Sequence, residues 1–193
     1  MLAQLTTIKD RLTIAPATTT YDALLTSAIK AISSRFDKIT NRTLARTVGT
    51  TQEFPADKTE IILSCFPLET VTKLELKSTE TQGWVEQTGI DYLIRNACVI
   101  SLSSRLGTCR DQGRITYTGG YVLPGTTPGA GQAALPDDLE QAAVEQVAYW
   151  FRNKDTLGLI RNWPSGGTYQ VFMKIELLPT VEATLKNYER WLV

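Results

Sequence analysis

Apolar residues recur at helical spacing towards both ends of the chain and alternate, as in strands, through its middle. Over residues 5–14, "LTTIKDRLTI", Leu5, Ile8 and Leu12 share one face, which predicts a short helix capped by Thr6 or Thr7. Pro16 and a threonine run break the pattern. From Tyr21 onwards Leu24, Leu25, Ala28, Ile32, Phe36 and Ile39 mark one face over about five turns, and residues 41–43 end the helix. Residues 47–76 are rich in threonine, valine and isoleucine, which suit a pleated surface. Within them "FPLETVTKLEL" alternates, with Val71, Lys73 and Glu75 on one side and Thr72, Leu74 and Leu76 on the other. Gly83 and Gly89 punctuate short strands around Trp84-Val85 and Tyr92-Leu93-Ile94; "CVISL" and "GRITYTGGY" supply two more, and Gly119-Gly120 closes the region.

Residues 122–134, "VLPGTTPGAGQAA", hold two prolines, three glycines and no charge, so they read as a loop. The clearest helix follows, over residues 135–155. Asp137 is placed to cap it, with Glu140 at capping-box spacing and Pro136 just outside. Leu139, Ala142, Ala143, Val147, Trp150 and Phe151 form its apolar stripe, and the last two make it the expected anchor of the core. Residues 163–167, "WPSGG", read as a loop, not a phosphate-binding motif, since no lysine follows at the required spacing. A last helix starts at Pro179 and runs to Trp191, with Val181, Leu185, Tyr188 and Leu192 as its stripe. The order of helices, strands and helices predicts an α+β fold. The N-terminal and C-terminal helices pack as a small bundle with a central antiparallel β region. One domain over residues 1–193 is expected: 1–45 helical, 46–121 β-rich, 122–136 loop, 137–193 helical.

Charge and chemistry narrow the function. Lysine plus arginine equals aspartate plus glutamate at 20 each, which argues against a general nucleic-acid binder. The 193 residues contain no histidine, so Ser-His-Asp and Cys-His catalysis are excluded. Cys65, Cys98 and Cys109 form no CxxC pair and read as buried reduced thiols, and no zinc ligand set is present. Asp137 and Asp138 are adjacent on a helix, so they do not face each other as an acid–base pair; helix capping explains them. Arg42, Arg46, Arg105, Arg110 and Arg114 are scattered near element ends and read as solvated or ion-paired. No signal peptide and no membrane span are indicated, and Asn41-Arg42-Thr43 is a chance sequon. No cofactor is expected. A small enzyme using a cysteine or carboxylates is the remote alternative.

The segments in their order resemble the head–tail connector (adaptor) proteins of long-tailed bacteriophages. The opening "LTTIKDRLTI" and then "YDALLTSAIKAISSRFDKITNRTL" are similar to that family's first two helices. "FPLETVTKLEL" resembles its proline-led strand, and "GIDYLI" with "CVISL" its next hairpin. "RITYTGGY" with "LPDDLEQAAVEQVAYWFRNKD" resembles its strand–loop–helix signature, and "LLPTVEATLKNYERW" its closing helix. The loop at residues 125–134 departs from the family by its length. The resemblance implies a structural virion protein at the head–tail junction, made in the host bacterial cytoplasm. It implies a closed homo-oligomeric ring of about twelve copies beneath the portal protein. That ring meets a stopper or tail-terminator protein, and genomic DNA passes through it without specific binding. A stopper or tail-completion protein of the same neck is the alternative. The apolar chain end and the family's use of its C-terminal segment point to Tyr188, Arg190, Trp191, Leu192 and Val193 as portal-facing. Subunit or tail-side contacts are expected at the exit of the second helix, including Arg42 and Arg46, and at the loop start, Val122, Leu123 and Pro124.

Overall fold

The computed structural model describes residues 1–154, 159–161, 171–172 and 177–190, with the backbone alone at 159–161 and 171–172. In chain order the elements are α1 (Leu5–Leu12), α2 (Asp22–Thr40), β1 (Thr47–Pro55), β2 (Glu60–Ile62), β3 (Leu68–Lys77), β4 (Val85–Glu86), β5 (Tyr92–Arg95), β6 (Val99–Leu102), β7 (Gln112–Gly119), β8 (Tyr121–Val122), β9 (Ala133–Ala134), α3 (Asp137–Arg152), β10 (Leu159–Arg161), β11 (Val171–Phe172) and α4 (Pro179–Lys186). Helices at both ends flank a β-rich middle, so the α+β reading is borne out. The chain divides into two compact units. One joins residues 1–36 to 136–188, and the other joins 37–135 to 189–193. The expected loop over residues 163–167 and the expected portal-facing residues Trp191, Leu192 and Val193 lie outside the described residues.

Among its described residues the first unit is helical, with one two-stranded antiparallel ribbon, β10–β11. Leu25, Ile29, Ile32 and Phe36 are fully buried along α2, whereas Leu24 and Ile39 are exposed. The stripe is therefore narrower than the apolar pattern: helical spacing names candidates for the face, and packing selects one row. α3 buries Leu139, Ala142, Ala143, Val144, Gln146, Val147 and Ala148. Trp150 and Phe151, expected to anchor the core, are only half-buried, and Phe151 meets Tyr21 edge to face with centroids 5.2 Å apart. Pro136, not Asp137, occupies the cap position of α3, and no side chain caps it. The Pro136 carbonyl accepts from Leu139 N–H and Glu140 N–H, while Asp137, Asp138 and Glu140 lie in the first turn, where their charge suits the helix dipole. α1 likewise starts after Gln4 without a side-chain cap, so neither Thr6 nor Thr7 serves.

Two buried polar residues tie this unit together. Lys9 Nζ donates to the carbonyls of Pro16 and Thr18 at 3.2 and 2.9 Å and pairs with Asp22 at 2.6 Å, locking the α1–α2 connection. Gln146, fully buried on α3, accepts the Leu178 N–H through Oε1 at 2.9 Å, which fixes the start of α4. Pro179 opens α4 as its missing N–H allows, and Val181 and Leu185 bury its inner face.

The second unit holds two antiparallel sheets, ordered β1-β7-β3-β4 and β2-β6-β5. They close on a core that includes Phe54, Leu63, Leu74, Ile100, Ile115 and Tyr117. β7 is flanked on both sides, and it is buried along nearly its whole length. A bulge on β3 between Val71 and Lys73 resets the alternation, so Val71 packs on the same core as Leu74 and Leu76. Strict alternation had placed them on opposite faces. The Tyr117 hydroxyl stitches the sheets. It accepts from Cys65 N–H at 3.0 Å, lies 3.1 Å from Ser64 Oγ and donates towards Gln52 Oε1 at 3.3 Å. The Gln52 amide continues the seam, donating to the Ile62 carbonyl at 2.8 Å and accepting from Ser64 N–H at 2.7 Å. The loop over residues 122–134 is closed at its base by a parallel pair, β8 with β9.

Glu75 gives this unit a pH dependence. Its side chain is 6% exposed, with Arg114 Nε at 2.8 Å, Lys73 Nζ at 3.0 Å, and Arg114 itself stacked 4.2 Å from the Trp84 ring centre. The hydrogen bond from Arg114 leads in holding the Glu75 carboxyl below its ordinary value. A depressed carboxylate stabilises the fold above its unfolded pKa, about 4.3, and the gain disappears as pH falls through the folded value. Wild type is therefore expected to exceed Glu75→Gln in urea midpoint at pH 7, with the gap closing in acid. A gap independent of pH would contradict the ion pair.

Candidate assembly interface

The exit of α2 is built from backbone geometry. Asn41 takes a left-handed conformation, φ 52°, and Arg42 N–H reaches back to the Asp37 carbonyl at 3.1 Å, which ends the helix where the sequence had placed its end. Asp37 Oδ1 then accepts Leu44 N–H at 3.0 Å; burial nonetheless pushes its carboxyl up from the ordinary value. Residues 43–46 run beside two other segments, through parallel bridges Thr43–Cys65 and Ala45–Tyr121.

This packing consumes the two arginines expected to reach outwards. Arg42 is 5% exposed; its guanidinium lies 3.4 Å from the Phe66 ring centre and 5.3 Å from that of Tyr121, and donates to the Phe66 carbonyl. Burial lowers its pKa. Arg46 makes a two-pronged pair with Glu69 at 2.7 and 2.9 Å. Val122 is buried, while Leu123 and Pro124 are half-buried.

The C-terminal residues are similarly engaged. Tyr188 donates to the Asp138 carboxylate, with its oxygens 2.7 and 2.9 Å away. Arg190 belongs with the β unit: its N–H donates to the Thr40 carbonyl at 2.8 Å and its Nη2 to the Ile62 carbonyl at 2.6 Å. It helps line a hollow of about 690 Å³ together with strand residues such as Gln52, Phe54 and Ile61 and with Arg105. Arg190 Nε is buried without a hydrogen-bond partner, and burial lowers the group's pKa. Tyr188 and Arg190 thus make contacts within their own chain.

The cysteines differ from the expectation of three buried thiols. Only Cys65 is buried, its Sγ 3.1 Å from the Gly119 carbonyl oxygen and its thiol pushed up by burial. Cys98 is half-buried and Cys109 exposed, on a shallow hollow beside Arg110 and Asp111. Among the described residues no group of acids and cysteines has metal-holding geometry, and no helix is long and apolar enough to cross a membrane. What the surface does offer is exposed apolar side chains. Val48 is 68% exposed, Leu93 66%, Leu24 50% and Ile94 48%. The alternation of β5 gave no warning of this, because Tyr92, Leu93 and Ile94 read as ordinary strand residues.

Comparison with known proteins gives this surface its context. The chain is similar to a chain from the neck of an empty GTA particle computed with C6 symmetry. The identity is 19% and the TM-score 0.63, over 97% of this chain and 89% of that one. It is also similar to a chain from the neck of a native GTA particle computed with C12 symmetry. There the identity is 19% and the TM-score 0.56, over 98% of this chain and 89% of that one. No curated protein matches. The sequence model of the head completion protein family matches residues 4–191. The chain therefore belongs to the head completion protein family, and the resemblance to head–tail connector proteins read from its sequence is borne out.

Proposed function

We propose that this protein is a ring-forming adaptor of the neck, in about twelve copies, that docks beneath the portal, joins the head to the tail or stopper, and continues the DNA channel. The observation that carries this reading is the family match over residues 4–191. The fold likeness to chains from necks of C6 and C12 symmetry supports it. The side chains are consistent with a role in fitting neighbours. Arg42, Arg46 and Arg190 make internal contacts, whereas large apolar side chains remain in solvent.

Portal docking is assigned to the C-terminal residues Tyr188, Arg190, Trp191, Leu192 and Val193, and a truncation tests the last three. A chain ending at Arg190 keeps the Tyr188–Asp138 and Arg190–Ile62 hydrogen bonds. It is expected to melt like wild type and to lose capture by immobilised portal at least about tenfold, the loss of one interface anchor or more. Undiminished capture of this truncated protein would contradict the assignment. A particle reconstruction locates the ring directly; a position one layer further from the portal would make the protein the stopper.

A further inference from the structure

We propose that β5 of one copy docks edge to edge on the first half of β1 in the next copy, and that this is the head-to-tail contact of the ring. The inference rests on the ring reading above and adds its surfaces. The two sheets of the β unit have four edges: β1 and β4 in one, β2 and β5 in the other. An unprotected strand edge is a template for another strand, and folded proteins usually shorten, cover or charge it. β4 is two residues long. β2 is three residues long, and its last carbonyl, Ile62, is taken by Gln52 and Arg190. The second half of β1 carries that Gln52 bridge and ends in Pro55. Among the described residues two edges are left uncovered, β5 and residues 47–51 of β1, the latter irregular between Thr47 and Thr50, where Gly49 N–H donates to Thr118 Oγ1 at 3.3 Å.

Both open edges are built to be covered. All four residues of β5 are exposed, so the strand shows both faces to solvent. Asp91 accepts Ser103 N–H at 2.8 Å, and alternation along the β5–β6 ladder then turns the N–H and C=O of Tyr92 and Ile94 outwards. On β1, Thr47, Val48, Gly49 and Thr51 are exposed. Val48 and Leu93 are the two most exposed large apolar side chains among the described residues, and one stands on each edge. Residues 47–51 and 92–94 carry no charge, and Arg95, the remaining residue of β5, is ion-paired with Glu60 at 3.1 Å. A ring closes only through a contact between two different patches, and one unit presents two. Pairing of β5 with itself would instead stop at a dimer.

The test uses two full-length variants, Val48→Lys and the double variant Leu93→Lys/Ile94→Lys. All three side chains are exposed, so both proteins are expected to melt as wild type does. Native mass spectrometry is run where wild type assembles, with portal added if a template is required. Each variant alone is expected to associate at least about tenfold more weakly and to form no ring. Their mixture is expected to give dimers, each joined by one intact β5 and one intact β1, that cannot extend. Rings from either variant, or a mixture that stays monomeric, would overturn the inference and leave the ring reading standing. Wild type that never assembles, alone or on portal, would sink the ring reading itself. In wild type, amide exchange at Tyr92 and Ile94 slows on assembly; unchanged exchange there counts against edge pairing.

Discussion

Truncating Tyr117 to alanine is expected to destabilise the protein by about 3–5 kcal/mol, the cost of removing a large buried aromatic side chain. Tyr117 is fully buried at the centre of the β core. The cavity is only part of the loss. Its hydroxyl is the acceptor for Cys65 N–H and a neighbour of Ser64 Oγ and Gln52 Oε1, so truncation also strips the seam between β1, β2 and β7. Tyr117→Phe separates the two effects. It keeps the ring and orphans the buried Cys65 N–H, which costs about 1–3 kcal/mol. Urea unfolding of the three proteins measures both. Since small domains are stable by only about 5–15 kcal/mol, the alanine variant is expected to sit near the limit of folding. A loss below about 1 kcal/mol for alanine would mean that the core closes over the gap.

Gly120→Ala is expected to cost roughly 4 kcal/mol or more, in the range reserved for specific structural breakage. Gly120 has φ +99°, and a Cβ there would stand 2.7 Å from the Ala45 carbonyl oxygen and 2.9 Å from Arg46 Cα. Those are backbone atoms of the neighbouring segment and cannot swing aside. Relief requires parting residues 44–46 from Tyr121, at the expense of the Tyr121 N–H to Leu44 and Arg46 N–H to Tyr121 bonds, each 2.8 Å. Gly83 supplies the control. It also has positive φ, +70°, but nothing lies within 4 Å of its would-be Cβ. Gly83→Ala is therefore expected to cost only about 1–2 kcal/mol, the left-handed penalty itself. Equal losses at the two positions would show that conformation, not close approach, sets the requirement at Gly120.

These cases mark what the residue pattern conveys. The four helices are legible because apolar spacing repeats over several turns, and Pro179 and Asn41 sit where backbone chemistry demands them. The strands are legible as a region, but the β3 bulge is not, since no residue type in "LETVTKLELK" requires one. Gly119-Gly120 reads as punctuation in the sequence, whereas its role is to let three segments touch. Lys9, Arg42 and Gln146 are buried because backbone carbonyls, ring faces or a distant N–H await them, and such partners leave no local signature. The same holds for the candidate interface. Tyr188 and Arg190 were identifiable as interface-type residues, but only the fold reveals that they bind their own chain. Val48 and Leu93 follow the ordinary strand composition, and their exposure depends on which edges the topology leaves open.

The chain enters the β unit after Phe36 and leaves it at Leu135, so the helical unit is written in two separated passages. This imposes an order during synthesis. Residues 37–135 emerge as one continuous stretch, whereas α1 and most of α2 belong to a unit whose other passage, residues 136–188, is made later. Exposed apolar surface of that kind is what chaperones hold and what aggregates if release is premature. Translation stalled near residue 135 would thus yield a formed β body carrying two unburied helices. Completion of the helical unit waits for residues 136–188.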